Sequence, residues 1–187
     1  MITLRLSFNV FVRCPCSIVK GLTKRVIRDC GIPTADFSIV EKVEDIEKVN
    51  LKYPLFAKPV AEGTGKGIDS KSKVKNYDEL KEVCVDLLNR FNQPVLVETY
   101  LSGREFTVGV VGTGNDAHVV GVMEIVITDR AKESTYSYHT KENWRGVVEY
   151  PMAAGDAEKK CCEVALSAWR SLGCRDGGRV DLKMDEN

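Results

Sequence analysis

No apolar run in these 187 residues is long enough to span a membrane or to form the core of a secretion signal. Proline is scarce, with 6 residues, and no Gly-X-Y period runs through the 15 glycines, so a collagen-like rod is excluded. Net charge is absent as well, because Lys+Arg 27 balances Asp+Glu 27. Without a whole-molecule field the chain cannot recruit nucleic acid or an anionic membrane over its surface, and any polyanion must be held locally. What is there, 43% hydrophobic and 29% charged residues, is the make-up of a folded globular protein. Its mass implies about 9,000 Å² of folded surface against roughly 30,000 Å² unfolded, enough for one core or two small lobes.

Several chemistries are missing too. The 7 cysteines are odd in number, include no Cys-x-x-Cys pair and fall where periodicity predicts burial, which reads as reduced core thiols of a cytosolic protein. His118 and His139 have no Cys or Asp at metal-ligand spacing, and no Gly-x-Ser-x-Gly elbow exists, so zinc chemistry and a serine hydrolase are unsupported. The one glycine-rich turn, Gly63-Thr64-Gly65-Lys66-Gly67, fits neither the P-loop nor the dinucleotide fingerprint. No acidic residue precedes Asp29, whereas Arg5, Arg13, Lys20, Lys24, Arg25 and Arg28 do. That asymmetry is leader-like, but Ile2, Leu4, Leu6, Phe8 and Val10 alternate with polar residues, the period of a strand.

Further along, Thr23 is expected to cap a short helix that Gly31-Ile32-Pro33 ends. Glu41 to Asn50 has helical spacing, and Leu55-Phe56-Ala57-Lys58-Pro59 reads as a strand. Asn76 with Glu79 forms a capping box for a helix bearing Leu80, Val83, Cys84, Leu87, Leu88 and Phe91. Strands are predicted at Val95 to Glu98, Glu105 to Val111, His118 to Ile127 and Arg179 to Met184, with a helix capped by Asp156 and ended by Gly173. Thr128 to Asn143 is polar and aperiodic, which suggests a mobile flap. The layout is α+β: two lobes of helices and antiparallel strands with a cleft between them. Residues 1–19 form a basic leader or strand, 20–97 the smaller lobe and 98–187 the larger.

Lys58 sits on an apolar strand, so its ammonium must either snorkel to an edge or be held for an anion. The glycine turn after it could close backbone N–H groups over phosphate oxygens, and lysine plus such a nest makes a phosphate site. Glu98 and Glu105 bracket a strand–turn–strand junction, either as solvated carboxylates or as acceptors for a ribose diol. Arg179 and Asp181 share one face of a strand, which suits a structural ion pair or a metal–phosphate centre.

In combination and in order, four stretches resemble the ATP-grasp superfamily, most closely the D-alanine–D-alanine ligases. They are Lys20-Gly21-Leu22-Thr23-Lys24 with Gly31-Ile32-Pro33-Thr34; Tyr53 to Pro59 with the glycine turn; Val97 to Phe106; and Gly173-Cys174 through Gly178-Arg179-Val180-Asp181. The resemblance implies an ATP-grasp fold and ATP with magnesium or manganese as cofactors. Lys20 and Lys58 would hold the phosphates, Gly63, Thr64, Gly65 and Gly67 would fold over them, Glu98 and Leu101 would border the adenine, and Glu105 would take the ribose hydroxyls. Lys141 matches the flap lysine that reaches the γ-phosphate, Arg179 the arginine at the tetrahedral intermediate, and Asp181 the first magnesium ligand. The implied reaction joins two D-alanines through an acyl phosphate, in cytoplasmic cell-wall precursor synthesis. Two rivals remain: an ATP-binding module without catalysis, and a ligase with another acceptor. The partners implied are small molecules, with neither nucleic acid nor membrane; family members pair, which leaves a homodimer open. The family's N-terminal domain has no counterpart in residues 1–19, and its remaining metal ligands would fall after Asn187.

Overall fold

The structure, a computed structural model, describes residues 3–6, 20–63, 65–127 and 148–185. It divides into two compact units. Residues 35–100 form one; the described residues within 3–34, 101–127 and 148–185 form the other. Residues 20–34, expected in the smaller lobe, pack in the larger unit, because Ile27 and Ile32 insert their side chains into its core. Glu98 moves the other way, since its strand pairs wholly within the smaller unit.

The smaller unit is a four-stranded antiparallel sheet covered by one long helix. Its strands are β2 (Phe37–Val40), β3 (Leu55–Pro59), β4 (Lys73–Val74) and β5 (Val95–Thr99), in the order β2-β5-β3-β4. The helix α2 spans Tyr77–Phe91 and begins as its sequence requires: Asn76 Oδ1 accepts from the Glu79 N–H at 2.9 Å, and Glu79 Oε2 accepts from the Lys75 N–H at 2.8 Å. Asn92, with φ 49°, ends it in the left-handed conformation that asparagine tolerates. Leu80, Val83, Cys84 and Leu87 of α2 meet Leu55, Ala57, Val95 and Val97 of the sheet in one core. The helix expected over Glu41 to Asn50 is a shorter 3₁₀ segment, Val43–Lys48, which buries only Ile46.

The larger unit holds a five-stranded antiparallel sheet, ordered β1-β9-β6-β7-β8, made by β1 (Thr3–Leu6), β6 (Glu105–Val111), β7 (His118–Ile127), β8 (Val148–Glu149) and β9 (Gly177–Asp185). The alternation at the start of the chain is thus realised as a strand over Thr3–Leu6, paired with the end of β9. Inward residues of β6 (Phe106, Val108, Val110) and β9 (Val180, Leu182, Met184) pack on Ala157, Cys161, Ala165, Ala168 and Trp169 of helix α3, Gly155–Ser171. Small residues on α3 let the helix lie close to the sheet, and Trp169, fully buried, donates its indole N–H to the Gly112 carbonyl at 3.0 Å.

Two caps differ from expectation. Helix α1, Lys20–Asp29, starts before Thr23, which lies fully buried within its first turns rather than at the N-cap. Helix α3 has Ala154 at its N-cap with no side-chain bond, and Asp156 lies within the first turn, where its charge still favours the helix dipole. Gly173, φ +62°, ends α3 as expected. Among the described cysteines Cys84, Cys161 and Cys174 are buried outside any disulfide, whereas Cys30 is exposed because it lies just past the end of α1. Burial pushes the Cys84 and Cys161 thiols up to about 12, which keeps them protonated and unreactive. Among the described residues no helix is long and apolar enough to cross a membrane. The flap expected at Thr128 to Asn143, with Lys141, lies outside the described residues.

Replacing Asn76 by Ala removes the cap of α2 and should lower stability by about 1 kcal/mol, read as a shifted denaturant midpoint with unchanged slope.

Candidate functional site

Lys58 and Glu98 meet inside the smaller unit. Antiparallel pairing sets Lys58 opposite Leu96 and Phe56 opposite Glu98, so the two charged residues are diagonal neighbours on β3 and β5. Their side chains close this diagonal, with Nζ 2.5 Å from Oε1. Both residues are only 6% exposed. Neither snorkelling nor an orphaned ammonium is therefore the answer for Lys58: it is buried against a counter-charge, an arrangement that holds only while both partners are present.

The glycine turn leaves β3 immediately afterwards. Two hydrogen bonds tighten it, from the Lys66 N–H to the Gly63 carbonyl and from the Ile68 N–H to the Gly65 carbonyl, each 3.0 Å. The Lys66 and Ile68 amides are thus used inside the turn. Gly65 and Gly67 have φ of +80° and +77°. At Gly67 the need for glycine is double, because a Cβ would also lie 2.6 Å from Pro59 Cγ and 2.9 Å from Phe91 Cζ. Gly63 is exposed, and Thr64 lies outside the described residues.

On the larger unit, the face of the sheet opposite α3 carries charge. Register sets Glu105 against Lys183, Thr107 against Asp181 and Gly109 against Arg179. Lys183 Nζ lies 3.3 Å from Glu105 Oε2. Thr107 donates its hydroxyl to Asp181 Oδ1 at 2.9 Å, and Arg179 Nε reaches the same oxygen at 3.1 Å. Arg179 and Asp181 thus form the ion pair allowed by their spacing, reinforced by a threonine. Thr107 of β6 and Lys183 of β9 belong to this charged face too, and the sequence reading singled out neither. The period-two alternation of β6 and β9, combined with their register, is the signal that finds them. Leu101, expected beside an adenine, is buried where the chain re-enters this unit, and Lys20 is buried at the first residue of α1.

On the other face, the one that carries α3, Arg104 grips Glu124 with both arms of its guanidinium, at 2.7 and 2.6 Å, while its Cζ lies 5.0 Å from the Phe106 ring centroid. The guanidinium holds the Glu124 carboxyl below its ordinary 4.5.

A magnesium ion needs several oxygen ligands. Among the described residues no group of three His, Cys, Asp or Glu side chains converges, and Oδ1 of Asp181 is already engaged by Thr107 and Arg179. The described residues by themselves do not fit that ion.

With the geometry in place, known structures define the fold. The VanG D-Ala:D-Ser ligase from Enterococcus faecalis superposes with a TM-score of 0.66 at 26% identity, covering 88% of this chain and 47% of that one. The D-alanine–D-alanine ligase from Bacillus anthracis, complexed with ATP, gives 0.66 at 19% identity, covering 91% and 51%. The α+β fold is that of the ATP-grasp ligases, as the sequence led us to expect. Residues 26–187 match the family described as D-ala D-ala ligase C-terminus, and the chain belongs to it. It is 34% identical over 174 residues to the D-alanine–D-alanine ligase of Bordetella petrii, covering 90% of this chain and 51% of that protein. With the ligase of Aquifex aeolicus it shares 31% over 170 residues, covering 90% and 54%. The chain spans about half the length of these relatives.

Two measurements check the site. Glu98→Leu, which strips the counter-charge from a buried ammonium, should cost about 3–5 kcal/mol of stability, and the double variant Lys58→Met/Glu98→Leu should cost less than that single one. For Arg104–Glu124 the folded pKa of the acid is depressed, so its stabilisation is present above pH 4.5 and lost as pH falls through the depressed value. Glu124→Gln should therefore flatten the acid limb of a stability–pH curve and leave the neutral limb's slope unchanged.

Proposed function

We propose that the chain is the nucleotide-binding part of an ATP-dependent carboxylate–amine ligase of the D-alanine–D-alanine type. The observation that carries this reading is the buried Lys58–Glu98 pair beside a glycine turn, in a chain of the D-ala D-ala ligase C-terminus family. Lys58 and Lys20 would bind phosphate oxygens, the turn from Gly63 to Gly67, Thr64 included, would cover them, and Glu98 and Leu101 would border the adenine. Glu105 would accept from the ribose hydroxyls. Lys141 would reach the γ-phosphate, and Arg179 would donate to the oxyanion that develops when the amide forms.

In that reaction a carboxylate oxygen of one D-alanine bonds to the γ-phosphorus as the bond to the β-phosphate oxygen breaks. The amine of the second D-alanine then attacks the acyl carbon, a C–N bond forms and inorganic phosphate leaves. Both steps gather negative charge on oxygens, so fixed cations serve them better than a protein nucleophile would. A divalent cation would add further neutralisation, with Asp181 as one carboxylate ligand and its other ligands drawn from outside the described residues. The same reading implies small-molecule partners and a cytoplasmic location, and leaves the pairing of two copies open.

A second acceptor is favoured by one observation, the likeness to the VanG D-Ala:D-Ser ligase. Screening D-alanine, D-serine and D-lactate with a chain that includes the regions of the relatives not spanned here separates the readings. Strict D-alanine dependence of phosphate release excludes the alternative.

For the present chain, saturating ATP should raise the melting temperature by several degrees, and Lys58→Ala should abolish that shift. An equal shift in wild type and Lys58→Ala would remove Lys58 from the site, and no shift in wild type would remove the nucleotide.

A further inference from the structure

The glycine turn is held in place by a residue outside it. Gln93, between the end of α2 and the start of β5, accepts with Oε1 from the Ala61 N–H at 2.7 Å. Its Nε2 donates to Glu62 Oε1 at 2.9 Å. Next to it, the Pro94 carbonyl accepts from the Val60 N–H at 3.0 Å. The Gln93-Pro94 dipeptide therefore grips residues 60, 61 and 62, which carry the chain from β3 into the turn. Glu62 extends the grip, since its Oε2 lies 3.5 Å from Lys66 Nζ inside the turn. At the far end Gly67 is seated on Pro59 and Phe91. An amide suits this position because a backbone N–H and a carboxylate need opposite partners, and a primary amide presents an acceptor and a donor on one rigid plane.

We propose that Gln93 is a positioning residue for the phosphate-covering turn: its side-chain amide fixes Ala61 and Glu62, and so sets where the turn's amides and Lys66 stand. This rests on the reading of Gly63 to Gly67 as the turn that folds over nucleotide phosphates. Gln93 itself touches no nucleotide; it acts through the backbone of Ala61 and the carboxylate of Glu62. Its removal therefore weakens the interactions made by the phosphates and spares those made by the nucleoside.

The test measures binding of ATP and adenosine to the full chain by titration calorimetry, for wild type, Gln93→Glu and the exchange variant Glu62→Gln/Gln93→Glu. Gln93→Glu sets two carboxylates against each other, and ATP affinity should fall about tenfold while adenosine affinity stays within about twofold. The exchange variant restores an amide facing a carboxylate, with the roles reversed, and should return ATP affinity to within about threefold of wild type. ATP affinity unchanged in Gln93→Glu, equal losses for ATP and adenosine, or no rescue in the exchange variant would each overturn the proposal. If wild type itself fails to bind ATP, the nucleotide reading falls and takes this inference with it; that outcome is separate because it appears before any substitution. Should Gln93→Glu not fold, Gln93→Met, which keeps the length and removes both bonds, carries the same expectation of an ATP loss without an adenosine loss.

Discussion

A charged ammonium buried in a sheet imposes conditions on everything near it. Lys58 meets them with one carboxylate, Glu98, and that carboxylate is in reach only because β3 and β5 pair antiparallel in the register observed. A slip of one residue would turn Lys58 towards α2 and the apolar core. The register is in turn set by that core, where Leu55, Ala57, Val95 and Val97 must face Leu80, Cys84 and Leu87. Apolar burial thus chooses the register and the register creates the ion pair. The pair contributes more to specifying the arrangement than to net stability, because desolvating two charges cancels much of their attraction.

The larger unit shows the same logic in a more exposed setting. Val180, Leu182 and Met184 of β9 are committed to α3, so Arg179, Asp181 and Lys183 must all lie on the other face. There they meet Glu105 and Thr107 of β6. A row of alternating charge across two neighbouring strands keeps such a face soluble and gives it fixed dipoles. The energetic weight differs from that of Lys58: Arg179 is half exposed and solvent screens its pair with Asp181.

The parts legible in the sequence are those that local periodicity decides. Helix α2 has its cap, its apolar stripe and its left-handed stop within one window, and β6 and β7 have clean boundaries. What was not legible depends on partners distant in sequence. Strand β4 has two residues and exists because Lys73 and Val74 pair with Phe56 and Leu55; β8, equally short, exists through β7. Thr23 looked like a cap because hydroxyl residues favour that position, yet the helix starts at Lys20 and packing claimed the side chain. Of the candidate site, Lys58, Glu98, Arg179 and Asp181 could be singled out from local context. Lys183 follows from the same alternation, but Thr107 and Gln93 could not be singled out, since each acts on a residue that folding brings near from 31 to 74 positions away.

Cations in both units are placed by the same rule. Lys58, Arg179 and Lys183 each face a carboxylate within their own unit, in Glu98, Asp181 and Glu105. The cost of that placement differs with depth: Arg179 is half exposed and solvent screens its charge, whereas Lys58 and Glu98 are both almost fully buried, so desolvation weighs most on their pair. A substitution at either member of the buried pair therefore disturbs the smaller unit more than the same change at Arg179 disturbs the larger one.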